Sequence, residues 1–318
     1  MKALVTGASG FVGEVLCREL RARGHRVRAG VRTRASGFGD AAILSLADPA
    51  SLRAALEGVD TLFHFAALTD PTASLSDLRR VNVDGTRALW QAAADARIER
   101  ALYCSTSAVY GLLSKKPEPL TEEALARAVE SYGRSKLEGE RAAMEIAARR
   151  GLATVVIRPA AVFGPGDRTR LGAELRRAAV AQIALSGLPD DARLSFVHVD
   201  DVASAAIHLV SAPGCAGEIF NVAVEPPATF DDAARAYSRA LKRSRRPLIR
   251  HRAMAFVSSC ARRLPRVGAA LRAVGGTRLV YEVGRAGFDL TISSKKLRDS
   301  GFTFARRDLD DVLASCLG

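Results

Sequence analysis

A short apolar run, Ala3-Leu4-Val5, leads directly into Thr6-Gly7-Ala8-Ser9-Gly10-Phe11-Val12-Gly13, where a helical pattern begins. Glycines at this spacing between strand and helix answer three demands: a tight turn, close backbone approach to a pyrophosphate, and close packing of helix on strand. The first amides of a helix have no partner within it, so they suit phosphate oxygens. A Gly-rich turn alone says little. Its position after a buried-strand run, opening the helix Phe11 to Arg21, makes it a dinucleotide-binding turn. The candidate contacts are Gly7, Ser9, Gly10, Phe11, Val12 and Gly13.

Strand-like runs continue at Arg26 to Val31, Thr61 to Ala66, Ala101 to Ser105 and Ala153 to Arg158, with helical patterns at Pro49 to Leu56, Leu78 to Ala96 and Tyr132 to Arg149. Such alternation builds a parallel sheet with helices on both faces, so the expected fold is α/β, a Rossmann-type doubly wound sheet. After Gly164-Pro165-Gly166 the alternation loosens. Further strands are expected near 194–199 and 218–222, returning to the sheet or its edge, and the rest is mostly helical and basic. The expected division is a dinucleotide-binding domain over 1–165 and a smaller, mostly helical substrate-binding lobe over 166–318. A chain of 318 residues, 48% of them hydrophobic, is long enough to bury both cores.

The net charge of +13 is unevenly placed: thirteen Lys and Arg and no acid lie between Ala233 and Tyr281, and the charges elsewhere balance. A patch of this kind suits an anionic substrate, a membrane surface or a solvated face. Apolar residues interleave with it from Met254 to Val274, which makes 242–274 a candidate peripheral membrane contact. No aromatic-interleaved platform accompanies the charge, so no nucleic-acid partner is expected. Cysteines 17, 104, 215, 260 and 316 are scattered and never form a Cys-x-x-Cys pair, which argues for a reducing compartment and against a metal site. With no leader pattern or membrane-length apolar run, the expected location is cytoplasmic.

A second motif is Tyr132-Gly133-Arg134-Ser135-Lys136. Tyr and Lys four apart on a helix lie on one face. A phenol near pKa 10 is a poor base at neutral pH, and a neighbouring ammonium favours its phenolate. The hydroxyl-rich segment Ser105-Thr106-Ser107-Ala108-Val109-Tyr110-Gly111 lies upstream at the end of a strand, where open parallel sheets bind ligands.

Together these elements resemble the extended short-chain dehydrogenase/reductase family, of the NAD-dependent epimerase/dehydratase kind, over essentially the whole chain. Further matches are His64-Phe65-Ala66-Ala67, Asn82-Val83-Asp84-Gly85-Thr86, Arg158-Pro159-Ala160-Ala161-Val162-Phe163-Gly164-Pro165, Phe196-Val197-His198-Val199-Asp200-Asp201 and Phe220-Asn221-Val222-Ala223. The resemblance implies Tyr132 as general acid/base and Lys136 as the group that lowers its pKa and bonds the nicotinamide ribose. It implies Thr106, or the adjacent Ser107, as the substrate-orienting hydroxyl. Leu46, Ala66, Ala67, Pro159 and Val162 join the implied cofactor contacts, and a homodimer through the Tyr132 helix is implied as well. His64 reads as a structural strand-end histidine, Arg158 as an arginine satisfying buried carbonyls, and Asp200 and Asp201 as helix-start caps or ion-pair partners.

Cofactor choice turns on the end of the second strand. A carboxylate there would accept from both ribose hydroxyls of NAD, but Val31 stands in its place, followed by Arg32 and Arg34. Guanidinium groups suit a 2′-phosphate, so NADP(H) is expected, with NAD as the alternative. Ser45 stands where the family often carries an acid near the adenine. Ser107-Ala108 replace the acidic pair that dehydratases of the family add, which disfavours dehydration. The C-terminal motifs Thr277-Arg278, Phe288-Asp289 and Ser294-Lys295-Lys296-Leu297 look more like the 3β-hydroxysteroid dehydrogenase and dihydroflavonol reductase branch. The expected reaction is hydride transfer between the nicotinamide and a secondary alcohol or ketone of a fairly apolar small molecule. The alternatives are a nucleotide-sugar epimerase or reductase with tightly bound NAD, and a non-catalytic dinucleotide sensor.

Overall fold

Every strand of the main sheet runs the same way. The computed structural model describes residues 1–33, 37–70, 72–111, 118–167, 193–229, 232, 236, 239 and 290–314. Its strands are β1 (Lys2–Thr6), β2 (Arg26–Val31), β3 (Asp40–Ile43), β4 (Thr61–His64), β5 (Arg100–Cys104), β6 (Ala153–Pro159), β7 (Ala161–Phe163), β8 (Arg193–His198), β9 (Ile219–Val222) and β10 (Val224–Thr229). The seven-stranded sheet has the order β3-β2-β1-β4-β5-β6-β9. This is the doubly wound Rossmann-type arrangement, with its order reversal beside β1. The edge strand β3 escapes the periodicity because Asp-Ala-Ala-Ile is short and mostly exposed.

The helices are α1 (Phe11–Ala22), α2 (Pro49–Leu56), α3 (Leu75–Arg79), α4 (Gly85–Asp95), α5 (Ser131–Arg150), α6 (Val199–Ser211), α7 (Lys295–Asp299) and α8 (Leu309–Ala314). The single helix expected at Leu78 to Ala96 begins earlier, where Ser74 caps α3, and a π-helical turn at Arg80–Asp84 joins α3 to α4. Asp48 caps α2 through the amides of Ala50 and Ser51, with Pro49 opening the helix. Left-handed Gly151 terminates α5.

Both faces of the sheet are covered, as a parallel sheet requires. Ala3 and Val5 pack with Leu16 and Leu20 of α1 and Val202 and Ala206 of α6. Leu4, pointing the other way, packs with Leu52 and Leu56 of α2, Trp90 of α4 and Ile146 of α5. Of the two later strands, β9 extends the main sheet on β6, whereas β8 lies between β7 and β10 in a three-stranded sheet of its own. In the expected lobe 166–318, α6 packs on α1, and Arg18 and Arg23 of α1 reach Asp200 and Ser204. Arg34, the basic segment 242–274, and the Thr277-Arg278 and Phe288-Asp289 motifs lie outside the described residues. No helix among the described residues is long and apolar enough to cross a membrane.

Candidate active site

Strand register gathers the motifs along one edge. Thr6 pairs with Gly30 on one side and His64 on the other, His64 pairs with Tyr103, and Cys104 with Ile157. The Gly-rich turn, Arg32, Ala66-Ala67, Ser105 to Ser107 and Pro159 to Val162 therefore all lie just beyond the carboxyl ends of adjacent strands, where open α/β sheets bind ligands.

The glycines of the first turn divide the work. Gly7 has φ 72°, and a Cβ there would lie 2.7 Å from the Ala66 amide nitrogen, so the turns after β1 and β4 touch only because position 7 is glycine. A Cβ on Gly13 would run into the Gly7 carbonyl, so α1 sits directly on the turn. Gly10 is the N-cap of α1 and offers no side-chain cap, and Ser9 and Gly10 are exposed. Phe11 and Val12 are half-buried at the opening of the helix.

Helix α5 carries the second motif. Tyr132 is half-buried in its first turn, and Lys136 is buried one turn further on. Among the described residues, Lys136 Nζ has neither hydrogen bond nor ion pair; it lies 4.2 Å from the centre of the Tyr103 ring. Burial lowers its pKa from 10.5 to about 8. Half-buried Thr106 accepts the Ala108 amide at 3.2 Å through Oγ1, while Ser107 is buried. Ser105 Oγ is buried without a hydrogen-bond partner among the described residues. Pro159 is buried, and Val162 is half-buried in β7.

Two buried polar networks brace these groups. His64 Nε2 and Nδ1 lie 3.1 Å from Thr86 Oγ1 and 2.7 Å from Thr6 Oγ1. Thr86 gives its own proton to the Asn82 carbonyl, so it accepts from Nε2–H, and Thr6 donates to Nδ1 while accepting the Ala66 amide. Every polar atom is satisfied with His64 neutral. Burial, reinforced by the Lys136 charge, holds its pKa well below the usual histidine value. Asn82 clasps Leu68 through both N–H and C=O and donates to Ser135 Oγ, which donates to the Tyr132 carbonyl. The Gly-rich turn is thereby tied to the first turn of α5.

In the other network, Arg158 forms a fork with Glu140 at 3.1 and 2.5 Å and donates to Tyr110 Oη at 2.9 Å. Tyr110 donates to Asn221 Oδ1, and Asn221 Nδ2 to the Leu120 carbonyl. Arg158 thus satisfies a carboxylate and a phenol, not the buried carbonyls expected of it. Asp200 pairs with Arg18, while Asp201 accepts the amides of Ala305 and Arg306; the cap of α6 is His198.

At the end of β2, Val31 is buried and Arg32 is exposed with no ion pair among the described residues. Half-buried Leu46 packs on Gly85, and the exposed Ser45 hydroxyl accepts the Ala47 amide. No group of three or more metal-ligating side chains occurs among the described residues. The exposed Gly10 turn, the Ser105 hydroxyl and the Lys136 ammonium, the last two without a hydrogen-bond partner among the described residues, fit a bound dinucleotide. The roles of Tyr103, Asn82, Ser135 and Glu140 follow from tertiary contacts and not from their local pattern. Glu140 was detectable as an acid four residues after Lys136, opposite the only charge in the apolar run Thr154 to Pro159.

The family model for the NAD-dependent epimerase/dehydratase family matches residues 3–223. A 2-alkyl-3-oxoalkanoate reductase from Stenotrophomonas maltophilia is 32% identical, over 71% of this chain and 72% of its own length. A 4-hydroxy-2-methyl-3-oxo-4-farnesyl-3,4-dihydroquinoline-1-oxide ketoreductase from Stigmatella aurantiaca is 36% identical over 52% of each chain. An uncharacterised Sinorhizobium fredii protein, y4nG, is 35% identical over 67% of this chain and 54% of its own. The chain thus spans about half the length of these last two relatives. Among solved structures, MoeE5 in complex with UDP-glucuronic acid and NAD superposes with a TM-score of 0.77 at 25% identity, covering 100% of this chain and 98% of that one. The crystal structure of gox2253 has a TM-score of 0.81 at 27% identity, covering 99% and 96%.

Proposed function

The chain belongs to the NAD-dependent epimerase/dehydratase family, and from that premise we propose that it is an oxidoreductase transferring hydride between NADP(H) and a secondary alcohol or ketone of a fairly apolar molecule. The observation that carries this reading is the pairing on α5, one helical turn apart, of Tyr132 with a buried Lys136 that has no hydrogen bond or ion pair among the described residues, with Thr106 just beyond the end of β5 on the same sheet edge. The similarity to a ketoreductase and an oxoalkanoate reductase supports the substrate class.

When bound, the nicotinamide supplies or accepts the hydride. The chain's own residues hold the substrate oxygen and move its proton. Thr106 Oγ1 already accepts from Ala108, which leaves its hydroxyl proton to donate to a carbonyl oxygen. Tyr132 donates the proton to that oxygen in reduction and removes it in oxidation. The Lys136 ammonium favours the phenolate and offers its protons to the ribose hydroxyls. Gly7, Ser9, Gly10, Phe11, Val12 and Gly13 would hold the pyrophosphate. Leu46, Ala66, Ala67, Pro159 and Val162 would line the bound dinucleotide, and Ser105 would offer it a hydroxyl that has no hydrogen-bond partner among the described residues.

The preference for NADP(H) rests on buried Val31 and exposed Arg32, with Arg34 as a second candidate. An acidic partner for the 2′-hydroxyl is missing from that strand end, and a guanidinium stands next to it. We read the substrate lobe as lying mainly within 166–318. A homodimer contact through α5 would be polar, because its outward side carries exposed Arg134, Arg141, Glu145 and Arg149.

Calorimetric titration of the purified protein and its Arg32→Ala variant with NADPH and NADH tests the reading. Wild type is expected to prefer NADPH, and the variant to lose roughly 10–100-fold of NADPH affinity with little change for NADH. Equal losses would overturn the 2′-phosphate assignment. Tightly retained NAD would instead favour epimerisation, and nucleotide sugars would become the substrates to screen.

A further inference from the structure

Lys136 is a buried ammonium whose charge Glu140, one turn along, favours, but burial outweighs it. On its own helix, Glu140 is held by Arg158 of β6. From β5, burial pushes the Cys104 thiol up to about 11, so it carries no negative charge near neutral pH. From β4, His64 is neutral. What the ammonium does face is the Tyr103 ring, 4.2 Å from its centre.

We propose that Tyr103 is a positioning residue, the face of its ring being the seat that holds the Lys136 ammonium in place and charged beside Tyr132. An aromatic face attracts a cation most strongly where water is excluded, and both groups here are buried. The seat is rigid. Tyr103 Oη donates to the Lys136 carbonyl at 3.2 Å, and its ring packs against His64 and Trp90 with centroids 5.7 and 5.8 Å away. Helix α5 rests directly on it, since a Cβ on Gly139 would come within 2.6 Å of Tyr103 Oη. Lys136 and Gly139, three apart, share that helix face. The ring thus fixes the height of the helix and the position of the charge together.

This inference rests on the role proposed for Lys136, a charge that favours the phenolate of the proton-transferring Tyr132, but its test does not need a substrate. The chain has seven lysines, so the side-chain resonances of lysine-labelled apo protein can be assigned, with Lys136→Met identifying the signal of interest. Titrated by NMR, Tyr103→Met should lower the Lys136 midpoint by about one pH unit, the shift expected on losing a buried cation–π contact. Tyr103→Phe keeps the ring and loses only the hydroxyl, so its midpoint should stay near wild type. In turnover assays, the pH at which alcohol oxidation reaches half its maximum should rise in Tyr103→Met and hold in Tyr103→Phe. An unchanged Lys136 titration in Tyr103→Met overturns the proposal. So does an equal shift in Tyr103→Phe, a variant that keeps the ring volume and tests the seat even where Tyr103→Met does not fold. Failure to turn over any carbonyl would strike the oxidoreductase reading and leave the titration result standing.

Discussion

Helices α5 and α6 lie on opposite faces of one sheet, yet they bury different things. Helix α6 puts Val199, Val202, Ala203, Ala205, Ala206, Ile207, Leu209 and Val210 into the core, with one carboxylate, Asp201, turned to the Ala305 and Arg306 amides. Helix α5 buries Leu137, Ile146 and alanines, but also Ser135, Lys136 and Glu140. On α6, apolar burial and tight packing supply the stability. On α5, three buried polar side chains need partners, and the surrounding strands and turns provide them for two; the third, Lys136, has only an aromatic ring among the described residues. One face of the sheet is therefore built mainly for stability, and the other holds charge in place at a cost in stability.

The sharpest break of this contrast is Tyr132→Phe. Turnover should fall by on the order of 100- to 10,000-fold while cofactor affinity and melting temperature stay close to wild type. Unchanged turnover would remove the chemistry from α5. Next in size is Glu140→Gln, which leaves the Arg158 guanidinium buried without its carboxylate; denaturant unfolding should show a loss of about 3–5 kcal/mol. Leu209→Ala on α6 should cost about 2–5 kcal/mol by creating a cavity, with kcat retained below the unfolding transition. A matching loss of kcat in Leu209→Ala would erase the distinction between the two helices.

The smallest effect has the opposite sign. Lys136 has a pKa of about 8 in the fold against 10.5 for an ordinary lysine, so between those values the unfolded chain holds a proton that the folded chain does not. Stability therefore rises with pH from about 8 to 10.5, and below 8 the full penalty of burying the charge applies. Lys136→Met should lose turnover yet stabilise the apo protein at pH 7 by roughly 1–3 kcal/mol, a gain that fades as pH approaches 10.5. Thermal unfolding of both proteins at pH 7 and pH 10 checks it.

The Gly-rich turn and the strand–helix alternation were legible because each is a local pattern with one physical reading. The bounds of β2 and α2 follow directly from periodicity and caps. The helix expected at Leu78 to Ala96 divides because a wide turn at Arg80–Asp84 brings Asn82 to Leu68 and Ser135, contacts that no spacing of residues 78–96 announces. Arg158 was visible as a charge in an apolar strand, but its partners come from α5 and from the turn after β5. Such partners are set by how strands are ordered in the sheet, which local pattern does not encode.

By itself, then, the sequence determined the α/β class, the Gly-rich strand-to-helix turn and the one-turn spacing of Tyr132 and Lys136, because each depends on residues within a few positions of one another. Only the tertiary structure decided what surrounds them: Tyr103 beneath Lys136, Glu140 against Arg158, and Asn82 clasping Leu68 and Ser135. Those contacts join strands and helices far apart in the chain, and they exist only once parallel register brings the carboxyl ends of β1, β4, β5 and β6 together at one edge.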